Sequence, residues 1–261
     1  MQENVQSDAI NNGIKQAYLN TIEQELLIIY DEHLNNLGLN AGNIPEKNIT
    51  TFFPMKGNLY NHELMVVGRA VNGWEEQITT GELLDNMKRK DYLRQTYLAS
   101  QPQCPLSWVT KARGGEQYNT NRSAFWRVIH KTLQKLEIGH NDKHWPSYIA
   151  WSNLYKTAPY EGGNPSGKLI NIQQRHCAAI LKKEIYLFKP KRILFLTGYD
   201  WAKDVLNKIN EFQINKEFDG LAEAGGQFVS ERIVSKIVIA KHPQGKDESR
   251  LVDEATMLFN S

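Results

Sequence analysis

Four short apolar runs, each separated from the next by a segment of helical spacing, constrain this chain more than any other feature in it. They are Leu64-Met65-Val66-Val67-Gly68, Tyr148-Ile149-Ala150-Trp151 leading into Ser152-Asn153, Arg192 to Gly198, and Ile233-Val234 continued by Lys236 to Ala240. Between them, residues 123–136 put Phe125, Val128, Ile129, Leu133 and Leu136 on one helical face. Residues 170–188 form a helix stopped at Pro190, Asp200 can cap a helix over 201–209, and Leu251, Val252, Ala255, Leu258 and Phe259 share a face of a closing helix. Parallel neighbours need long crossover connections, and here those connections are helical. The pattern predicts an α/β fold, a three-layer α/β/α sandwich on a four-stranded parallel sheet.

Ahead of the first run, Ile14, Leu19, Ile22, Leu26 and Ile29 recur at helical steps within residues 8–38, before a break at Asn-Leu-Gly-Leu-Asn-Ala-Gly and Pro45. The chain therefore divides into an N-terminal helical extension, residues 1–50, and an α/β/α domain, residues 51–261. Residues 75–122 read as a helical insertion with Gly114-Gly115 as its flexible point.

Composition excludes several classes. The 31 Lys and Arg against 29 Asp and Glu leave +2, which is no polybasic protein, and 41% hydrophobic content in 261 residues suffices for a full core. No run approaches the roughly 18 consecutive apolar residues of a membrane span, and the N-terminus is polar. A cytoplasmic address without membrane contact is expected. Cys104 and Cys177 alone cannot build a disulfide framework or a Cys-rich zinc or iron–sulfur site.

In open parallel sheets, ligands bind beyond the carboxyl ends of the strands, so the residues just past each run matter most. Those segments carry Arg69 to Trp74 with Asn72, Ser152 to Lys156 with Asn153, Gly198-Tyr199-Asp200, and Lys241-His242-Pro243-Gln244-Gly245. Two Asn and one His converging there can hydrogen-bond a planar heterocycle and a water, and no carboxylate among them is placed as a strong base.

In these residues and their order the chain resembles the uracil-DNA glycosylase superfamily over roughly residues 52–259. Members have a four-stranded parallel sheet with a water-positioning motif after the first strand, a base-reading Asn after the second and a His-Pro motif after the fourth. The resemblance implies that Asn153 reads a base flipped out of the stack, with Trp74 the nearest aromatic for stacking. It implies that His242 stabilises charge on the departing base and that Asn72 positions the attacking water. No metal and no cofactor are implied; the partner is DNA containing a modified base. Two departures stand out. The water motif reads Gly68-x-x-x-Asn72-Gly73, longer than Gly-x-Asn-Pro-Gly and lacking its Pro, and His242-Pro243-Gln244-Gly245 replaces His-Pro-Ser-Pro. Lys246 or Arg250 can substitute electrostatically for the missing Ser.

The expected activity is hydrolysis of the N-glycosidic bond of a damaged or deaminated base in DNA. A non-catalytic nucleic-acid or nucleotide binder on the same fold is the alternative. Each candidate also has a bland reading: Asn153 as a turn residue, Asn72-Gly73 as a turn dipeptide, Trp74 and Trp151 as packing. Gly162 to Lys168 matches the spacing of a phosphate-cradling loop, but Leu169 stands where Ser or Thr must hold magnesium, and Pro165 lacks an amide donor. The same Lys168-bearing segment is expected at the pocket mouth. There Arg69, Lys111, Arg113, Arg122, Lys156, Lys168, Lys241, Lys246 and Arg250 outnumber Glu75, Glu76, Glu161, Asp247 and Glu248, a rim suited to phosphates. Lys182, Lys183, Lys189, Lys191 and Arg192 gather at the other end of the sheet and read as a solvated face.

Overall fold

Apolar stripes and strand runs account for most of the elements in the computed structural model, which describes residues 21–74, 76–101, 104–112, 119–139 and 143–261. In chain order these are α1 (Thr21–Leu39), β1 (Asn48–Thr51), β2 (Met55–Lys56), β3 (Leu64–Gly68), β4 (Ile78–Thr79), α2 (Asn86–Ser100), α3 (Ser107–Lys111) and α4 (Ala124–Lys135). There follow β5 (Ile149–Asn153), β6 (Thr157–Pro159), α5 (Gly167–Phe188), β7 (Arg192–Phe195), α6 (Tyr199–Leu206), β8 (Phe212–Glu217), β9 (Ala222–Val229), β10 (Val234–Ala240) and α7 (Glu248–Asn260). Part of the expected N-terminal helix, residues 8–20, lies outside the described residues, as do Glu75, Arg113 and the Gly114-Gly115 point of the expected insertion.

The four expected strands run parallel in the order β5-β3-β7-β10, with Gly68 opposite Asn153 and Ile237 opposite Ile193. They are not the whole sheet. It has seven strands of mixed direction, β2-β5-β3-β7-β10-β9-β8, because β2 adds antiparallel to β5 and the β8–β9–β10 meander adds two antiparallel strands beyond β10. This corrects the four-stranded expectation. The two added strands escape a search for apolar runs because β8 is half solvated and β9 contains Gly225-Gly226. Glycine is required there: a Cβ on Gly226 would stand 2.1 Å from the Gln213 carbonyl oxygen of β8. A second, three-stranded antiparallel sheet, β4-β1-β6, flanks the main one.

Alternation along each central strand separates two cores. Leu64, Val66, Trp151, Leu194 and Val238 face α4 and α7, which contribute Val128, Ile129, Leu133, Leu251, Ala255 and Phe259. Met65, Val67, Ala150, Ile193, Phe195, Ile237 and Ile239 face α5 and α6. On the outer side of α5, Leu26, Tyr30, Leu34 and Leu37 of α1 pack with Ile180, and the short sheet closes that third core. The helix α6 begins earlier than expected, with Gly198 at its N-cap at φ 82° and Asp200 in its first turn. Among the described residues no helix is long and apolar enough to cross a membrane.

Candidate functional site

The carboxyl end of β5 is tied tightly to that of β3. Asn153 and Gly68 are register partners, the Leu154 N–H donates to the Gly68 carbonyl at 2.8 Å, and the Tyr155 N–H donates to that of Arg69 at 2.9 Å. Asn153 is 2% exposed, and its Nδ2 is buried with no hydrogen-bond partner among the described residues. A Cβ on Gly68 would lie 2.4 Å from Asn153 Oδ1 and 3.3 Å from the Phe125 ring, so glycine at the end of β3 is what lets the amide occupy its position. A buried amide without a partner costs about 1–3 kcal/mol, an expense that native structures rarely carry without a reason.

The amide lies beside a dense aromatic cluster on one face of the sheet. Trp151, two residues earlier on β5, has ring centroids of Phe52 at 4.7 Å, Trp126 at 5.0 Å, Trp74 at 6.0 Å and Phe125 at 6.3 Å. Trp74 meets Phe52 edge to face at 5.7 Å, and the indole N–H groups of Trp74 and Trp151 are buried without partners among the described residues. Helical periodicity puts Phe125 on a packing face; its neighbourhood to Gly68 and Asn153 emerges only on folding.

Asn72 is exposed on the loop after β3, and its Oδ1 accepts the Gly163 N–H at 2.5 Å. That bond joins the loop to the glycine-rich segment after β6, where Gly162 and Gly163 take φ values of 96° and 88°.

His242 is half-buried beyond β10. Burial, and then the positive charge of Arg69, lower its imidazole below the ordinary value, so the neutral form is favoured at pH 7. The Gln244 N–H points to Nδ1 at a long 3.4 Å, a contact that favours the tautomer with its proton on Nε2. Arg69 spans from β3 toward β7, donating from Nε to the Thr197 carbonyl at 2.6 Å and lying 4.7 Å from the centroid of Trp201. Arg69 thus links the ends of β3 and β7 and adds charge beside His242.

The basic rim differs from the expectation in one important member. Lys156 is fully buried, on the opposite face of β5 from the aromatic cluster, and pairs with the equally buried Glu184 at 2.8 Å. Its ammonium has no part in an exposed rim. Lys168 and Lys246 are exposed, whereas Arg250 is engaged by Glu254 at 2.7 Å. Glu248 is bound by Arg127 and Lys131, and these pairs hold its carboxyl below the usual range. At the other end of the sheet Lys182, Lys183, Lys191 and Arg192 pair with Glu211, Glu25 and Glu63, in keeping with a solvated face.

The glycine-rich segment does not cradle a phosphate. Ser166 caps α5 by accepting the Leu169 N–H, and Ser166 itself donates through its N–H and hydroxyl to the Glu46 carboxylate at 2.7 and 3.1 Å. The Glu46 carboxylate thus lies at the start of α5, and the Leu169 amide is already taken by the Ser166 cap. A separate groove of about 470 Å³ opens between α5 and the turn after α6, lined by Arg175, Ala178, Ala179, Lys182, Lys208 and Ile209. It does not include the residues at the strand ends. Cys104 is exposed and Cys177 buried. Neither a protein-family model nor a curated protein matches the sequence.

Proposed function

We propose that the chain recognises a nucleobase at the carboxyl edge of its sheet and hydrolyses the N-glycosidic bond of a damaged or deaminated, uracil-like base in DNA, on a fold of the uracil-DNA glycosylase type. The observation that carries this reading is Asn153. Its buried, unpartnered amide beside Gly68 and Phe125 is a donor in want of an acceptor, and a base flipped from the stack supplies one. The central strand order β5-β3-β7-β10 supports it, since it brings the segments bearing Asn72, Asn153 and His242 to the same edge.

In the proposed reaction the C1′–N bond breaks with its electron pair going to the base, water oxygen adds to C1′, and the proton the water loses passes to solvent, from which the released base anion is protonated. Neutral His242 donates from Nε2 to the base oxygen that gathers negative charge, an interaction that strengthens in the transition state. Asn72 orients the water. Its Oδ1 has two lone pairs; Gly163 occupies one and fixes the carbonyl, and the other accepts from water. A cytoplasmic location goes with this reading.

A second reading rests on that same Gly163 bond. If tethering the loop is all that Asn72 does, the site binds a base without hydrolysing its bond. Single-turnover base release from oligonucleotides carrying uracil, hypoxanthine or xanthine decides between them. Release by the wild type, slowed on the order of 100- to 1000-fold in His242→Ala, supports hydrolysis. Binding that depends on Asn153 without release supports the binder, and neither binding nor release overturns both.

A further inference from the structure

Behind the candidate base-reading residue, on the opposite face of β5, lies an ion pair with no access to solvent. Lys156 and Glu184 are both 0% exposed. The Lys156 ammonium makes three bonds: to Glu184 at 2.8 Å, to the Ser152 hydroxyl at 2.8 Å and to the Asn153 main-chain carbonyl at 2.6 Å. Glu184 in turn accepts from Ser152 at 2.6 Å, and the Tyr30 hydroxyl, whose proton goes to the Phe52 carbonyl at 2.8 Å, lies 3.4 Å from its other oxygen. Burial pushes the Glu184 carboxyl up, against the pull of Lys156, Ser152 and Tyr30.

A pair of this kind is a poor source of stability, because removing two charges from water offsets most of their attraction, and apolar replacements of similar volume are often neutral or better. Its position is more informative. The ammonium comes from three residues beyond Asn153 and folds back onto the Asn153 carbonyl, so it clamps the short link between β5 and β6 from one face while the buried amide lies on the other. Leu154 and Tyr155, inside that link, are bonded to β3 and the residue after it. The last residue of β5 is therefore held by β3 on one side and by the ammonium from behind.

We infer that Lys156 is a positioning residue: held by Glu184, it fixes the main chain of Asn153 so that the side-chain amide keeps one orientation beside Gly68 and Phe125. For base recognition this rests on the function proposed above; for the orientation of the amide it does not. Lys156 touches no substrate, and its effect passes through Asn153.

Removing either partner alone strands a buried charge and threatens folding, so the informative variant is the double Lys156→Met, Glu184→Leu, which removes both charges. Its thermal midpoint is expected within a few degrees of wild type. Two readouts test the inference. In ¹⁵N–¹H spectra the Asn153 side-chain amide pair, assigned by its loss in Asn153→Asp, should shift or split in the double variant without ligand. In single turnover, base release at saturating DNA should fall at least tenfold, with a smaller change in the concentration for half-saturation, and preference for uracil over cytosine should narrow. An unmoved Asn153 resonance in a folded double variant overturns the inference, whatever happens to the rate. If wild-type protein neither binds nor releases a base, the proposed function falls, and the resonance still decides whether Lys156 positions Asn153.

Discussion

Asn72 Oδ1 accepts the Gly163 N–H at 2.5 Å across 91 residues of sequence, so the loop after the first parallel strand is pinned to the glycine-rich loop after β6. Under the hydrolytic reading this bond prepares the side chain for a water. Asn72→Ala should lower single-turnover base release on the order of 100-fold, the range for loss of a group that orients or deprotonates a nucleophile, while DNA affinity stays near wild type. Hydrogen exchange at the Gly163 amide should accelerate in the same variant. A rate within threefold of wild type would leave Asn72 with loop tethering alone.

Under the proposed reading, Asn153 separates stability from recognition. Its Nδ2 has no partner to lose among the described residues, so Asn153→Ala leaves no orphaned acceptor behind; relief of the buried amide's cost opposes the small cavity left, and the fold should not lose more than about 1 kcal/mol. Base recognition should nonetheless collapse, and Asn153→Asp should alter which base is accepted by replacing a donor with an acceptor. Denaturant titration alongside base-release assays tests this. A strongly destabilised Asn153→Ala with intact recognition would make the amide a structural element.

Stability should fall in mild acid, and His33 is a named cause. It is fully buried on α1, 2.9 Å from the Thr157 hydroxyl, and burial, the neighbouring His176 and Lys156 push its imidazole down to about 3. The unfolded chain binds this proton near pH 6.5 and the folded chain does not, so stability present above pH 6.5 is lost as pH falls. The contribution is about 1.4 kcal/mol per pH unit. His176 and His242, lowered in the same direction, add to the trend. Chemical denaturation between pH 6.5 and 5 should show a shallower slope for His33→Gln than for wild type; equal slopes would remove His33 from the account.

If DNA is the partner, its affinity should decline with salt over few phosphates. Lys168 and Lys246 are exposed and in no ion pair among the described residues, so replacing both with Ala should flatten the dependence of log affinity on log salt by about two units, roughly 0.9 for each contact. Arg250, already bound to Glu254, should shift it less when replaced. Fluorescence anisotropy over a salt series is the measurement. A slope untouched by all three substitutions places any nucleic-acid surface elsewhere.

Much of the architecture was legible from local pattern. Continuous apolar runs mark β3, β5, β7 and β10 because strands buried on both faces have no polar side to alternate with, and the stripes of α4, α5 and α7 follow from helical periodicity. The edge of the sheet was less so. In β8, Phe212 and Ile214 alternate with polar residues, and Asp219-Gly220 is a hairpin signal, yet the glycines of β9 break the pattern where backbones approach closely. The segments bearing the candidate residues could be assigned to strand ends from sequence, since position after a run suffices for that.

Folding alone decided what each candidate touches. Lys156 reads as one more surface cation, and its burial depends on Glu184, 28 residues away on α5. A trace of that partnership exists in the sequence: Glu184 falls on the apolar stripe of Cys177, Leu181 and Phe188, where a carboxylate requires a cation. Which cation answers it, that Gly163 engages Asn72, and that burial and then Arg69 lower the imidazole of His242 are all set by contacts between distant segments, and periodicity, which reports only neighbours along one element, carries no information about them.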